Sequence, residues 1–269
     1  MTAEATPYLV CLRGILWREA LRFIYQRERF IAALVRPLIW LFIFAVGFRS
    51  ILGVSIVPPY ETYITYETYI VPGLAAMIQL FNGMQSSLTL VYDREMGSMR
   101  VLLTSPMPRW FLLFSKLMAG TFVSLIQVYL FLVIAELTIV DLPLGGLLLL
   151  FPVLLMTGLM LGALGMLLSS TIRQLENFAG IMNFVIFPMF FLSSALYPLW
   201  KMRESSDLLY WICALNPFTH VVESVRFTLY LEANPLALAV VCTSFVVFLA
   251  LAVLGYDPKK GLIRRRAAD

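Results

Sequence analysis

Six stretches of this sequence, near residues 36–56, 70–91, 110–137, 144–168, 178–196 and 235–256, are apolar over most of their length and run for 19 to 28 residues. A helix needs about 20 such residues to cross the roughly 30 Å hydrocarbon core of a bilayer. Lipid offers the backbone no hydrogen-bond partners, so a lone segment crosses as a helix. Composition agrees. The residues AVILMFWYC make up 61% of the chain and charged residues 13%, against about 45–50% and about 25% in soluble domains. A water-soluble fold of 269 residues has no interior large enough to hide that surface. The expected fold class is an all-α membrane protein with six transmembrane helices.

Charge sets the expected orientation. With both termini cytoplasmic, the segments 1–36, 92–116, 169–177 and 257–269 hold 16 of the 20 Lys and Arg residues. The outer segments hold the other 4. This asymmetry orients a multi-pass protein with both termini inside; the expected location is the cytoplasmic (inner) membrane. The asymmetry also accounts for the net charge of +4, so no nucleic-acid partner is expected. Residues 1–35 are expected to form a cytoplasmic amphipathic interface helix. Leu12, Leu16, Phe23, Phe30 and Leu34 recur on one face, and Arg18, Arg22 and Arg29 fall on another, which suits a lipid headgroup region. Residues 36–256 form the six-span domain and 257–269 a basic cytoplasmic tail. Arg36 is expected at the cytoplasmic end of the first span, where its stem can snorkel, with Pro37 near the helix start. Tyr60, Tyr63, Tyr66 and Tyr69 follow the Pro58–Pro59 break and read as an outer aromatic belt.

Polarity inside the spans is confined. Gln79, Asn82, Gln85, Ser86 and Thr89 make a stripe at near-helical spacing on the second span. Such groups avoid lipid, so the stripe faces another helix or a wet pathway. Gln79, Asn82 and Gln85, with Asn183 and Phe187 on the fifth span, form the expected substrate pathway. Gly158 and Gly162 make a GxxxG pair that allows close helix approach, and Pro188 is expected to kink the fifth span. No span shows a clear charge at its centre, which disfavours the alternative of a secondary carrier or channel not coupled to ATP. Residues 197–234 are too broken for one span. Within them Asn216–Pro217 is a helix-start signal. His220, Glu223 and Arg226 follow at helical spacing, so Asn216, Pro217, His220, Glu223 and Arg226 form an expected outer gate, with a purely structural ion pair as the other reading.

No residues suggest catalysis or a metal. The single histidine rules out an HExxH site, and none of the four lysines follows a glycine, so the GxxxxGK[ST] phosphate loop is missing. The three cysteines form no CxxC. The chain is therefore expected to bind no cofactor and to be no enzyme. Any ATP and magnesium would belong to another polypeptide.

The segment between the second and third expected spans is the most distinctive. It starts with the charges Asp93, Arg94 and Glu95, continues through Gly97 and Arg100 to Val101, Leu102 and Leu103, and stops at Pro106. Leucines suit an anchor in a partner's groove, and charges set register.

Three motifs carry a resemblance. They are DREMGSMRVLLTSP at 93–106, SSALYPL at 193–199 and NPFTHVVESVRF at 216–227. With the six-span plan they make the chain resemble the permease subunits of type-2 ABC exporters. That resemblance implies a subunit moving an amphiphilic cargo, such as a drug, lipid or glycolipid. It implies partnership with a separate ABC ATPase and a second permease subunit, the same or different, in contact with membrane lipid. Asp93, Arg94, Glu95, Gly97, Arg100, Leu103 and Pro106 would touch the ATPase. Short outer helices before the last span would be re-entrant and close the exit.

Overall fold

The structure, a computed structural model, describes residues 5–25, 27–48, 58–60, 64–96, 107–172 and 174–256. Ten helices lie among them: α1 (Ala5–Tyr25), α2 (Arg27–Phe48), α3 (Tyr66–Glu95), α4 (Arg109–Thr138), α5 (Leu144–Thr171), α6 (Leu175–Phe191), α7 (Leu199–Ser205), α8 (Asp207–Leu215), α9 (Pro217–Leu229) and α10 (Pro235–Gly255). By length and apolar composition, α4, α5 and α10 can each cross a bilayer. The shorter apolar stretches Leu34–Ile43 and Leu175–Phe191 add to them. Gly97, Arg100, Leu103 and Pro106 lie outside the described residues.

Proline punctuates these elements. Pro108, Pro143 and Pro198 stand immediately before α4, α5 and α7 in extended conformation, as a residue without an N–H and with a fixed φ favours at a helix entrance. Asn216 and Asn234 cap α9 and α10, their side chains accepting from Phe218 N and Ala237 N, with Pro217 and Pro235 at the first helical position. The helix start expected at Asn216–Pro217 is thus present. The same Asn-Pro signature at 234–235 had equal force.

α3 is the axis. Every residue from Tyr69 to Phe81 is buried, among α2, α4, α5, α6 and α9. Its closest neighbour is α5, and glycines set that distance. A Cβ on Gly83 would stand 2.9 Å from the backbone N of Gly162, and one on Gly165 would stand 2.8 Å from the carbonyl O of Gly83. The expected GxxxG contact is therefore real and has two partners, because Gly158 and Gly162 also admit Thr121 and Leu117 of α4. Between helices that share apolar surroundings, such close backbone approach is a main source of association. α10 packs on α5 and α9, and Tyr256 Oη meets Ser169 Oγ at 2.6 Å.

The N-terminal region departs from expectation. Helix is described over Ala5–Tyr25 and Arg27–Phe48, so the helix described from Arg27 runs on past residue 35, where a surface helix was expected to give way to a span over 36–56. Pro37 lies inside α2 and is buried, and Arg36 lies inside with it. The density of basic residues up to Arg36 marked a surface segment in the sequence. Buried Leu34 and Leu41 instead carry the packed face of α2 across that boundary. α1 packs along α4, with the Tyr8 and Phe111 rings 5.0 Å apart.

Gly83→Val forces a branched side chain against the Gly162 backbone. It is expected to destabilise the fold by about 1–3 kcal/mol, lowering the unfolding temperature in detergent. Gly14 has open space around its Cβ position, so Gly14→Ala leaves that temperature unchanged or raises it, through a gain in helix stability of up to about 1 kcal/mol.

Candidate functional site

Two constellations lie at opposite ends of α3. At its C-terminal end, the Lys116 ammonium donates to Asp93 at 2.5 Å, joining α3 to α4. Glu95 accepts from Leu175 N at 3.3 Å, placing a carboxylate at the start of α6, where the helix dipole favours it. Arg18 and Glu19 of α1 lie within electrostatic reach of Lys116. The ends of α3, α4 and α6 and one face of α1 therefore meet in a charged junction immediately before residue 97. Of the expected partner-contact residues, Asp93 and Glu95 are in this junction and the α3 backbone carries Arg94 between them.

At the other end, α6 stops at Phe191, and the 192–198 segment turns without regular structure. Its backbone must find partners elsewhere, since an unpaired buried carbonyl is costly. α3 supplies Tyr69 Oη to Ser194 O at 2.9 Å and Tyr66 Oη to Leu196 O at 3.0 Å. α9 supplies Arg226, whose guanidinium donates to Ser194 O at 2.8 Å and to Glu223. The same guanidinium lies 4.1 Å from the Tyr69 ring centre. Asn216 donates to Met189 O and Leu192 O at 2.8 and 2.7 Å. Gly73 completes the seat, because a Cβ there would lie 2.6 Å from Ala195 O. Tyr60 and Tyr230 close over the cluster with ring centres 4.6 Å apart. Burial pushes the Tyr60 phenol up to about 12, so it stays neutral beside Arg226.

This arrangement corrects the reading of the tyrosines. Tyr60, Tyr66 and Tyr69 are 5%, 2% and 1% exposed and belong to the core rather than to an interfacial belt; Tyr63 lies outside the described residues. An amphipathic ring suits an interface, but it equally suits a buried site with a free carbonyl at the hydroxyl. The expected gate residues are brought together only in part. Glu223 and Arg226 pair, Asn216 ties α9 to the turn, and Pro217 starts α9. His220 leaves the group and meets Ala214 O at 3.0 Å. The signal missed in the sequence was Tyr66–Tyr69–Gly73, at helical spacing opposite the SSAL turn.

The expected pathway residues are dispersed. Gln79 is 1% exposed and fully engaged with α5: its Nε2 donates to Leu154 O and its Oε1 accepts from Thr157 Oγ1, both at 2.7 Å. Asn82 turns to α4, donating to Gln127 and to Ser124, and Gln85 is half-buried one turn on. Gln79 and Asn82 thus serve interhelical hydrogen bonding to two different neighbours, while Ser86 and Thr89 bond carbonyls of their own helix. Asn183 and Phe187 are exposed on α6. Phe187 reaches Phe81 of α3 with ring centres 6.3 Å apart.

Arg36 was expected at a membrane surface, and no span was expected to hold a central charge. Its guanidinium instead lies 4.2 Å from the centre of the Phe81 ring. Phe81 is twelve residues, about 18 Å of helix, from both Tyr69 and Asp93. It also sits level with the middle of α5, since Gln79 bonds Leu154 and Thr157 and Gly83 abuts Gly162. At the centre of a bilayer-spanning helix an arginine costs about 2.5–3.5 kcal/mol on insertion scales. One cation–π contact returns only about 0.5–2 kcal/mol.

Apolar exposed helices over an all-helical buried axis define a multi-pass membrane protein. The sequence profile described as ABC-2 type transporter matches residues 11–230. The chain is 30% identical over 199 residues to a transport permease, ycf38, of Porphyra purpurea, covering 73% of this chain and 66% of that one. It is 28% identical over 231 residues to the protein of the same name in Pyropia yezoensis, covering 83% and 75%. It is 30% identical over 169 residues to the multidrug ABC transporter permease YbhR of Escherichia coli, covering 62% and 45%. The matched stretches thus span between 45% and 75% of these relatives. The chain belongs to the ABC-2 type transporter family.

Arg226→Met leaves the half-buried Glu223 without its cation and Ser194 O with Tyr69 as its remaining side-chain donor. Breaking one side of a buried pair costs about 3–5 kcal/mol, so a large fall in unfolding temperature is expected. Combining Arg226→Met with Glu223→Gln recovers part of it, measured by thermal unfolding of both variants in one detergent.

Proposed function

We propose that this chain is the membrane subunit of an ATP-driven exporter of amphiphilic cargo, powered by an ATPase on a separate polypeptide and working beside a second permease subunit, in contact with lipid. On this reading α2, α3, α4, α5, α6 and α10 are the six crossings, and α7, α8 and α9 are outer elements that re-enter the membrane. The termini and the charged junction then face the cytoplasm of the inner-membrane cell. ATP and magnesium act on the partner.

The observation that carries the reading is the junction of Asp93, Lys116, Glu95 and the α6 start. Residues 97–106 follow it directly. A partner pressing on that segment acts on α3, and through two charge contacts on α4 and α6. Three helices then answer one push, while the glycine-packed α3–α5 pair resists deformation and moves as a body. At the far end the same α3 holds the 192–198 turn through Tyr66 and Tyr69. A shift of α3 therefore reaches the far side without any further linkage. Two discrete packings of these elements supply the alternation that transport requires.

The central charge does not revive a proton-coupled carrier. Arginine stays protonated at all physiological pH values, so Arg36 takes up and releases no proton.

Glu95→Ala and Arg100→Ala test the reading in the complex purified with its ATPase and reconstituted in vesicles. ATP hydrolysis is expected to continue while transport per ATP falls roughly 5- to 150-fold, the range of typical coupling energies. Normal transport and normal cargo-stimulated hydrolysis in both variants would remove the junction from the mechanism.

A further inference from the structure

A cation without a counter-charge, set in aromatic surface at mid-depth, is the feature that the packing of the fold does not use. Arg36 is exposed, and among the described residues no carboxylate pairs with it. Its one described contact is the face of Phe81. Phe187 meets Phe81 edge to face and remains 43% exposed. Phe191 stacks on Phe187, with ring centres 6.3 Å apart, and is 40% exposed. Trp40, one turn beyond Arg36 on α2, meets Phe190 and Phe191 of α6 at 6.3 and 6.0 Å. α2 and α6 thus flank α3, touching through Trp40 and leaving Phe81, Arg36 and Phe187 along an open-sided cleft.

The chemistry of this cleft is two-sided. Guanidinium presents a planar fork of donors matched to phosphate and carboxylate. The rings around it present apolar faces suited to acyl chains. At this depth a bare arginine is unfavourable and draws an anion or water to itself. A free inorganic anion would have to shed its hydration and would gain nothing from the rings. An acidic group carried on an acyl chain satisfies both parts at once.

We propose that the Arg36–Phe81–Phe187 cleft between α2 and α6 binds an anionic amphiphile, its phosphate or carboxylate on Arg36 and its chain along Phe187, Phe191 and Trp40. This rests on the export reading and narrows its cargo class to amphiphiles with an acidic headgroup. The site gives the headgroup a station halfway between the charged junction and the 192–198 turn. Lipid approaches laterally, through the exposed side between α2 and α6.

Trp40 reports occupancy. The full chain is prepared with Trp17→Phe, Trp110→Phe, Trp200→Phe and Trp211→Phe and reconstituted in phosphatidylcholine vesicles without ATPase or nucleotide. Trp40 fluorescence is quenched by phosphatidic acid with brominated chains or, separately, by phosphatidylcholine with the same chains. Phosphatidic acid is expected to reach half-maximal quenching at a roughly tenfold lower mole fraction, the preference one charge-assisted contact confers. Arg36→Gln removes the difference between the lipids, and Arg36→Lys keeps part of it, which separates charge recognition from misfolding. Equal quenching by both lipids in the parent protein overturns the proposal, as does a preference that survives Arg36→Gln. So does displacement of phosphatidic acid by millimolar inorganic phosphate, which would assign the site to the free anion. Quenching indifferent to lipid charge, with loss of dimer in Arg36→Gln, would give Arg36 to a carboxylate of a second copy and likewise overturn it. Because no nucleotide is present, this result stands apart from the outcome of the coupling experiment.

Discussion

Where α6 ends at Phe191 the backbone loses its helical partners while still enclosed by apolar side chains, and its carbonyls have to be met from outside. That constraint organises one end of the molecule. Tyr66 and Tyr69 of α3, Arg226 of α9 and Asn216 ahead of α9 aim donors at residues 189–196. Each donor comes from an element that must therefore stay in register with the others. Glu223 is there because a buried guanidinium needs an anion. Gly73 is there because the turn lies too close to α3 for any side chain. An irregular segment within a membrane protein survives only when protein encloses it. Here the enclosure also fastens α3, α6 and α9 together.

The other end of α3 is held differently. Asp93 and Glu95 make charge contacts at the rim of the packing: Lys116 is 8% and the Asp93 side chain 20% exposed, and Glu95 is exposed. The Glu95 contact, open to water, is individually weak and easily remade. One end is thus locked by buried hydrogen bonds and the other by adjustable charges, with a glycine-packed shaft between them.

Much of this was legible in the sequence, and the failures have physical reasons. The bounds of α4, α5 and α10 followed from long apolar runs that each open at a Pro, and α9 from Asn-Pro. The Gly158/Gly162 approach and the Glu223–Arg226 pair followed from helical spacing. Asp93 and Glu95 were marked as charged residues of importance, although their partners Lys116 and Leu175 N come from distant segments and no local spacing shows them. The tyrosines misled because an interfacial ring and a ring capping a buried carbonyl look alike in sequence; only the fold brings the SSAL turn to them. Gln79 was read with a pathway because amide side chains serve helix packing and solvent lining equally well. Arg36 was read as a surface residue because arginines cluster up to it, and nothing in the local sequence shows that the fold sets its guanidinium on the Phe81 ring.

α10 presents the opposite case from α3. Only 17% of its apolar window is buried, along the face that meets α5 and α9, while Leu236, Val246, Val247, Leu251 and Leu254 stand clear of the rest of the chain. Exchanging any of these five for another oily residue of different shape changes nothing that must fit, so this helix tolerates wide substitution. The α3–α5 seam, where a single methyl group collides with backbone, tolerates almost none.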